Sequence, residues 1–281
     1  MGIKAIVMDI DGTLNVYKKG ILPKTKEILL KAQKQGIKLI LASGRPTTGM
    51  IDFGKALELE KNGGILISYN GSKVTDMETM KELYNMPLSI EDGKAVLEHI
   101  KKFDVSPMID KGEYMYVNNV FERMVTLGGK KVNIVEYEAR NGKYMLCEQA
   151  DLAAFADFSL NKILVAGEPE YLQANYKAMM EPFEEFLNCM FTASVYFEFT
   201  AKHIDKAKAL DTVLAQIGMN ASEVIAFGDG QNDISLIQYA GIGVAMGNAV
   251  AELKAVADKV TLSNEEDGIA SCLLETLECL K

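Results

Sequence analysis

Tryptophan is absent from this 281-residue chain and histidine occurs only twice. Two histidines leave little room for a histidine-built metal site or a histidine-based catalytic triad. The four cysteines, Cys147, Cys189, Cys272 and Cys279, show no paired short spacing. Zinc ligation and a disulfide framework are therefore not expected, and free thiols in a reducing compartment are. No apolar run approaches the ~18 residues of a membrane span. Met1-Gly2-Ile3-Lys4 lacks a signal-peptide pattern, and Ile6 stands where N-myristoylation needs Ser or Thr. Basic residues are also short, 30 against 39 acidic, for a net charge of −9. That balance argues against nucleic acid or a membrane surface as partner. The expectation is a cytoplasmic protein whose oligomeric state stays open. A small anionic substrate remains compatible, because a metal ion and one lysine can reverse the sign locally.

What is present is globular: 48% hydrophobic, 25% charged, six prolines. The length suits one large core or two domains. Residues 3–8 are almost unbroken apolar sequence, the mark of a parallel strand covered on both faces. A helix is predicted over 23–35, with Pro23 in its first turn, then a strand over 37–42, another helix, and a strand over 64–69. This β-α-β-α-β order implies parallel strands with right-handed crossovers.

From residue 83 to 194 the runs become shorter and more polar, with strands at 114–117, 143–147 and 163–165 and helices at 91–102 and 169–187. The first texture returns with a helix capped by Asp205 and a buried strand over 224–227. The reading is an α/β, Rossmann-like parallel-sheet core, 1–82 and 195–281, with an α+β cap, 83–194, inserted into it.

Polar clusters fall where the buried strands end, and ligands bind outside the carboxyl ends of such strands. Asp9-Ile10-Asp11-Gly12-Thr13 follows the first strand. Ser43-Gly44-Arg45 follows the second; its hydroxyl and unobstructed N–H suit a phosphate oxygen, while a helix cap would explain Ser43 equally well. Asn70 ends the third strand, and Arg45 and Asn70 are candidate substrate contacts. Gly228-Asp229-Gly230-Gln231-Asn232-Asp233 follows 224–227. Asp9 and Asp229 can supply the one or two carboxylates that Mg²⁺ commonly takes. Lys206 sits in a first helical turn, against the helix dipole, which suggests that it answers a nearby negative charge. Lys202 and Lys208 are competing choices. Gly241-x-Gly243-x-x-x-Gly247 has the wrong spacing for a dinucleotide fingerprint, and no Walker-type loop occurs.

Together these groups permit phosphoryl transfer. Asp9 attacks phosphorus to give an aspartyl-phosphate, Mg²⁺ and Lys206 offset charge, and Asp11 moves the proton. The expectation is that metal contact keeps Asp9 ionised, while Asp11, nearer the leaving group, can hold a proton.

The four clusters, in this order and spacing, resemble the motifs of the haloacid dehalogenase (HAD) superfamily, and the insertion between the second and third resembles Cof-type phosphatases with a C2B cap. The resemblance implies Asp9 as nucleophile and Asp11 as acid/base, with phosphate contacts from Ser43, Gly44, Lys206 and Asn232. It implies a magnesium site of Asp9, the Asp11 carbonyl and Asp229, with Asp233 as ligand or as support behind the ligands. An acid at position 11 points to phosphoester chemistry over dehalogenation. One departure is visible: Lys202-His203-Ile204-Asp205-Lys206-Ala207 stands where relatives usually place glycine or serine beside the lysine. The implied function is hydrolysis of a small phosphorylated metabolite, such as a sugar phosphate, with the cap closing over the site and choosing the substrate. A phosphomutase, or a non-catalytic regulator that keeps the fold, are the alternatives.

Overall fold

The computed structural model describes residues 2–121 and 123–277; Cys279 lies outside them. The chain divides into two compact units, Met1–Asn85 with Asp205–Lys281, and Met86–Ile204. The first contains β1 (Ala5–Met8), β2 (Lys38–Ala42), β3 (Ile65–Ser68), β4 (Lys73–Asp76) and β5 (Glu82–Asn85). The second contains β6 (Ser106–Lys111), β7 (Tyr114–Val117), β8 (Met124–Leu127), β9 (Lys130–Asn133), β10 (Met145–Glu148), β11 (Ile163–Ala166), β12 (Leu187–Ala193) and β13 (Tyr196–Ala201). The chain then returns to the first unit with β14 (Val224–Gly228), β15 (Ile242–Ala245) and β16 (Lys259–Val260).

In the first unit the strand order is β16-β15-β14-β1-β2-β3-β4-β5. The run from β16 to β3 is parallel. β4 and β5, for which the sequence carries no strong strand pattern, add an antiparallel edge. Every residue of β1 and β14 is buried, which is why both read as unbroken apolar runs. From β1 the chain steps outward to β2 and β3; after the inserted unit it returns on the other side through β14, β15 and β16. The order therefore reverses between β1 and β14, and a crevice opens beyond the carboxyl ends of neighbouring strands at such a point.

The helix Pro23–Lys34 starts with proline at its first position and no side-chain cap of its own. Its free N-terminal donors are met from far along the chain, where the Asp267 carboxylate accepts from Thr25 N at 3.0 Å and Thr25 Oγ1 at 2.8 Å. The helix Lys206–Gln216 is capped as expected, with Asp205 accepting from the amides of Ala207 and Lys208.

The second unit is a six-stranded sheet, β10-β7-β6-β11-β13-β12, beside a two-stranded β8-β9 ribbon. Residue alternation sends Ile163, Val165, Phe197 and Phe199 to one apolar cluster, shared with the helices Ile90–Ile100 and Pro169–Met180. Leu164, Ala166 and Tyr196 face the other, packed by Val125 of β8 and by Ile134, Val135 and Ala139 of the helix Ile134–Gly142.

Four boundaries differ from the sequence reading. The helix expected to reach 187 stops at Met180, because Pro182 has no amide to donate to the preceding turn; Leu187 instead opens β12. The strand expected from 143 begins at Met145, since Lys143 ends the preceding helix in a left-handed conformation. The unit boundary expected at 194/195 falls at 204/205. β13 is wholly buried and pairs antiparallel with both β11 and β12, so a cut at 194 would divide a hairpin. At the other boundary β5 extends the first unit to Asn85 rather than 82. No helix among the described residues is long and apolar enough to cross a membrane.

Candidate active site

Asp9 is the residue at which β1 runs out, and its amide still donates to the carbonyl of Phe227 on β14, at 3.0 Å. The residue is 6% exposed. Lys206, the first residue of its helix, is fully enclosed and donates to Asp9 Oδ1 at 2.7 Å and Asp233 Oδ1 at 2.6 Å. Lys206 is thus placed against Asp9, whereas Lys202 Nζ binds the carbonyl of Glu184 at 2.7 Å. The other oxygen of Asp233 accepts from the amides of Asp229 and Gly230, both at 3.0 Å, so Asp233 braces Lys206 and the Asp229 turn together.

Asp229 receives a hydrogen bond from Thr13 Oγ1 at 2.7 Å. Gly12, between the two loops, has φ +85°, and a Cβ there would lie 2.2 Å from Asp229 Oδ2. Only glycine permits that approach. Gly71 plays the same part behind Lys206, with φ +100° and a notional Cβ 2.3 Å from the carbonyl oxygen of Asp205.

One ligand atom from each of Asp9, Asp229 and Asp233 lies within 4.8 Å of the others. Three carboxylates thus face one ammonium. Burial pushes Asp9 up to about 8 against the pull of Lys206, with Asp233 adding to the rise. Burial likewise lifts Asp229 to about 6, opposed by the Thr13 hydrogen bond. Burial disfavours the charged form of Lys206, but the two acids outweigh it and hold the lysine charged. Hard oxygen donors carrying more negative charge than their surroundings neutralise suit a cation such as Mg²⁺.

Asp11 behaves differently. Burial works to raise it, yet the Arg45 fork, at 2.6 Å and 2.8 Å, together with Asn15 at 3.1 Å, holds it below the usual carboxylate range. The expectation of an ionised Asp9 depends on metal contact; from the protein's own groups alone, Asp9 holds its proton more tightly than Asp11. Sequence alone gave no sign that Arg45, expected at the substrate, would close on Asp11.

Ser43 is buried and its carbonyl accepts from Asn70 N at 2.9 Å. Asn70 is left-handed (φ 55°), and Asn232 Nδ2 donates to Asn70 Oδ1 at 2.9 Å. A Cβ at Gly44 would meet the Asn70 amide at 3.1 Å. The structure therefore gathers two sets of expected residues, Asp9, Asp11, Arg45, Lys206, Asp229 and Asp233 in one, and Ser43, Gly44, Asn70 and Asn232 in the other. His203 takes a left-handed backbone, φ 64°, which glycine adopts without steric cost. Sequence reasoning gave no role to Thr13, Asn15 or Asn248. Asn248 lies just past β15, and the strand-end rule that flagged Asp9 and Asp229 reaches it too.

A family model for haloacid dehalogenase-like hydrolases matches residues 6–273. The crystal structure of a haloacid dehalogenase-like hydrolase from Bacteroides thetaiotaomicron superposes with a TM-score of 0.89 at 34% identity, covering 97% of this chain and 99% of that one. A 5-amino-6-(5-phospho-D-ribitylamino)uracil phosphatase of Bacillus subtilis is 28% identical over 272 residues, 96% of this chain and 94% of the relative. A pyridoxal phosphate phosphatase of Escherichia coli is 27% identical over 281 residues, 99% and 100% of the two chains. The chain belongs to the haloacid dehalogenase superfamily as a Cof-type hydrolase, an enzyme of the phosphoric monoester hydrolase class.

Proposed function

We propose that the chain is a Mg²⁺-dependent phosphatase that hydrolyses a small phosphorylated metabolite through an aspartyl-phosphate on Asp9. The observation that carries this reading is the enclosed Asp9–Lys206–Asp233 chain beside Asp229 at the carboxyl ends of β1 and β14. Asp9, Asp229 and the Asp11 carbonyl would hold the metal, with Asp233 as ligand or support. Bound there, Mg²⁺ supplies positive charge that keeps Asp9 ionised and offsets charge on the phosphoryl group.

Asp9 attacks phosphorus; an oxygen–phosphorus bond forms as the ester oxygen–phosphorus bond breaks. Lys206 balances the charge gathering on Asp9 and the phosphoryl oxygens. Ser43, Gly44 and Asn232 bind those oxygens. Asp11 gives its proton to the leaving alcohol, then takes one from the water that attacks the phosphoenzyme and releases phosphate. Donation requires the Arg45 fork to open, and Arg45 turned onto the substrate anion frees Asp11 to carry a proton. Asn70 holds Asn232 and borders the same region.

The substrate class is a phosphate monoester of a small metabolite. Sugar phosphates, pyridoxal 5′-phosphate and a phosphorylated ribitylaminouracil form the first panel. Phosphate release from at least one of them, lost with chelator and restored by Mg²⁺, is the expected result. No release from any member in the presence of Mg²⁺ would overturn the reading.

A further inference from the structure

Three asparagines outside the acid cluster are joined to its central turn by hydrogen bonds that the reaction above does not use. Asn248 Nδ2 donates to the carbonyl of Gly12 at 2.8 Å. Asn264 Nδ2 donates to the carbonyl of Asn15 at 3.0 Å, and the Asn264 amide donates to Asn248 Oδ1, also at 3.0 Å. Asn15 in turn donates to Asp11 Oδ1 at 3.1 Å. The turn carrying Asp11 and Gly12 is thus gripped at the carbonyls of Gly12 and Asn15 from segments more than two hundred positions away in sequence.

The grip also reaches the second acid loop. Met246 N donates to the carbonyl of Gly228 at 3.0 Å and Val250 N to the carbonyl of Asp229 at 2.9 Å, so Asn248 sits midway along a segment that braces Asp229. Gly12 and Asp229 meet at a distance only glycine allows, and the Asn248 amide holds the Gly12 side of that contact. Each of these bonds is exposed or half-exposed and contributes little to folding. Their geometry fixes where Asp11 stands relative to Asp229.

We infer that Asn248 and Asn264 are positioning residues of the phosphoryl-transfer site, holding the Asp11–Asn15 turn against the Asp229 loop. The inference rests on the phosphatase reading. A misplacement of about 1 Å at a reacting group can cost about 100-fold in rate. The loss should fall on the step in which Asp11 protonates the leaving alcohol.

Asn248→Leu and Asn264→Leu are close in volume and remove the side-chain hydrogen bonds without adding charge. Each variant is assayed with Mg²⁺ on p-nitrophenyl phosphate, whose leaving group needs little protonation, and on an alkyl phosphate such as glucose 6-phosphate. The expected result is a kcat lowered about 10- to 100-fold on the alkyl ester, less on the aryl ester, with KM and the unfolding temperature little changed. Asn248→Gln, which keeps a donor, should recover part of the loss on the alkyl ester. Equal losses on both esters, unchanged kcat, or failure of both Leu variants to fold would overturn the inference. If the wild-type chain releases no phosphate from any ester, the phosphatase reading fails instead, and that outcome is read separately from the variants.

Discussion

Lys206 is the residue on which the charge balance of the site turns, since its one ammonium stands between Asp9 and Asp233 with no solvent contact. Replacing it by Met keeps the volume of the stem and removes the charge, leaving two buried carboxylates without their partner. Breaking a buried pair in this way costs about 3–5 kcal/mol. Lys206→Met should lower stability by that order in urea unfolding, and added Mg²⁺ should recover part of it, because the cation takes over some of the neutralisation. A variant as stable as the wild type in the absence of Mg²⁺ would contradict the assigned role. At this scale much of the site is legible in the sequence. Asp9, Asp229 and Lys206 are marked by strand ends and by a cation set against a helix dipole. The Arg45 fork on Asp11 is not legible, because a half-buried guanidinium and a carboxylate thirty-four positions apart meet through a geometry that no local pattern records.

The elements of the first unit follow closely from hydrophobic pattern: β1, β2, β3 and β14 lie within a residue or two of the expected runs. Continuous apolar sequence is a strong signal when both faces are covered. The second unit is less legible. Its half-exposed strands alternate with polar residues, and the apolar spacing beyond Met180 continues past Pro182, where the backbone cannot follow. Long-range capping is also hidden from local reading. Asp267 caps the helix Pro23–Lys34 across 242 positions, and no residue near Leu22 announces it. Asp267→Ala should therefore destabilise the fold by about 1 kcal/mol, as loss of a cap does, while leaving kcat unchanged. Thermal unfolding and steady-state assay check the two halves, and an unaltered unfolding temperature would show that the bond contributes nothing.

Across the whole molecule, the acid cluster couples folding to pH and to metal. Asp9 rises to about 8 and Asp229 to about 6 in the metal-free protein, so each binds its proton more tightly folded than unfolded. Protonation then favours the native state. Stability is lost as pH rises from the ordinary carboxylate range towards 6 for Asp229 and towards 8 for Asp9. A Mg²⁺ ion held by these acids would bind their ionised forms, so the stability it added would grow over the same interval. The rise in unfolding temperature on adding Mg²⁺ should be larger at pH 8 than at pH 5. An equal rise at both would mean that the cation does not bind these acids.

The central claim is that Asp9 is the nucleophile, and the most direct measurement is mass spectrometry of the Asp9 peptide after acid quench during turnover. The account predicts a phosphoryl group on Asp9, formed and lost at the rate of turnover, and neither adduct nor phosphate release in Asp9→Asn. Steady turnover with no phosphoryl group on Asp9, or undiminished activity in Asp9→Asn, would contradict it.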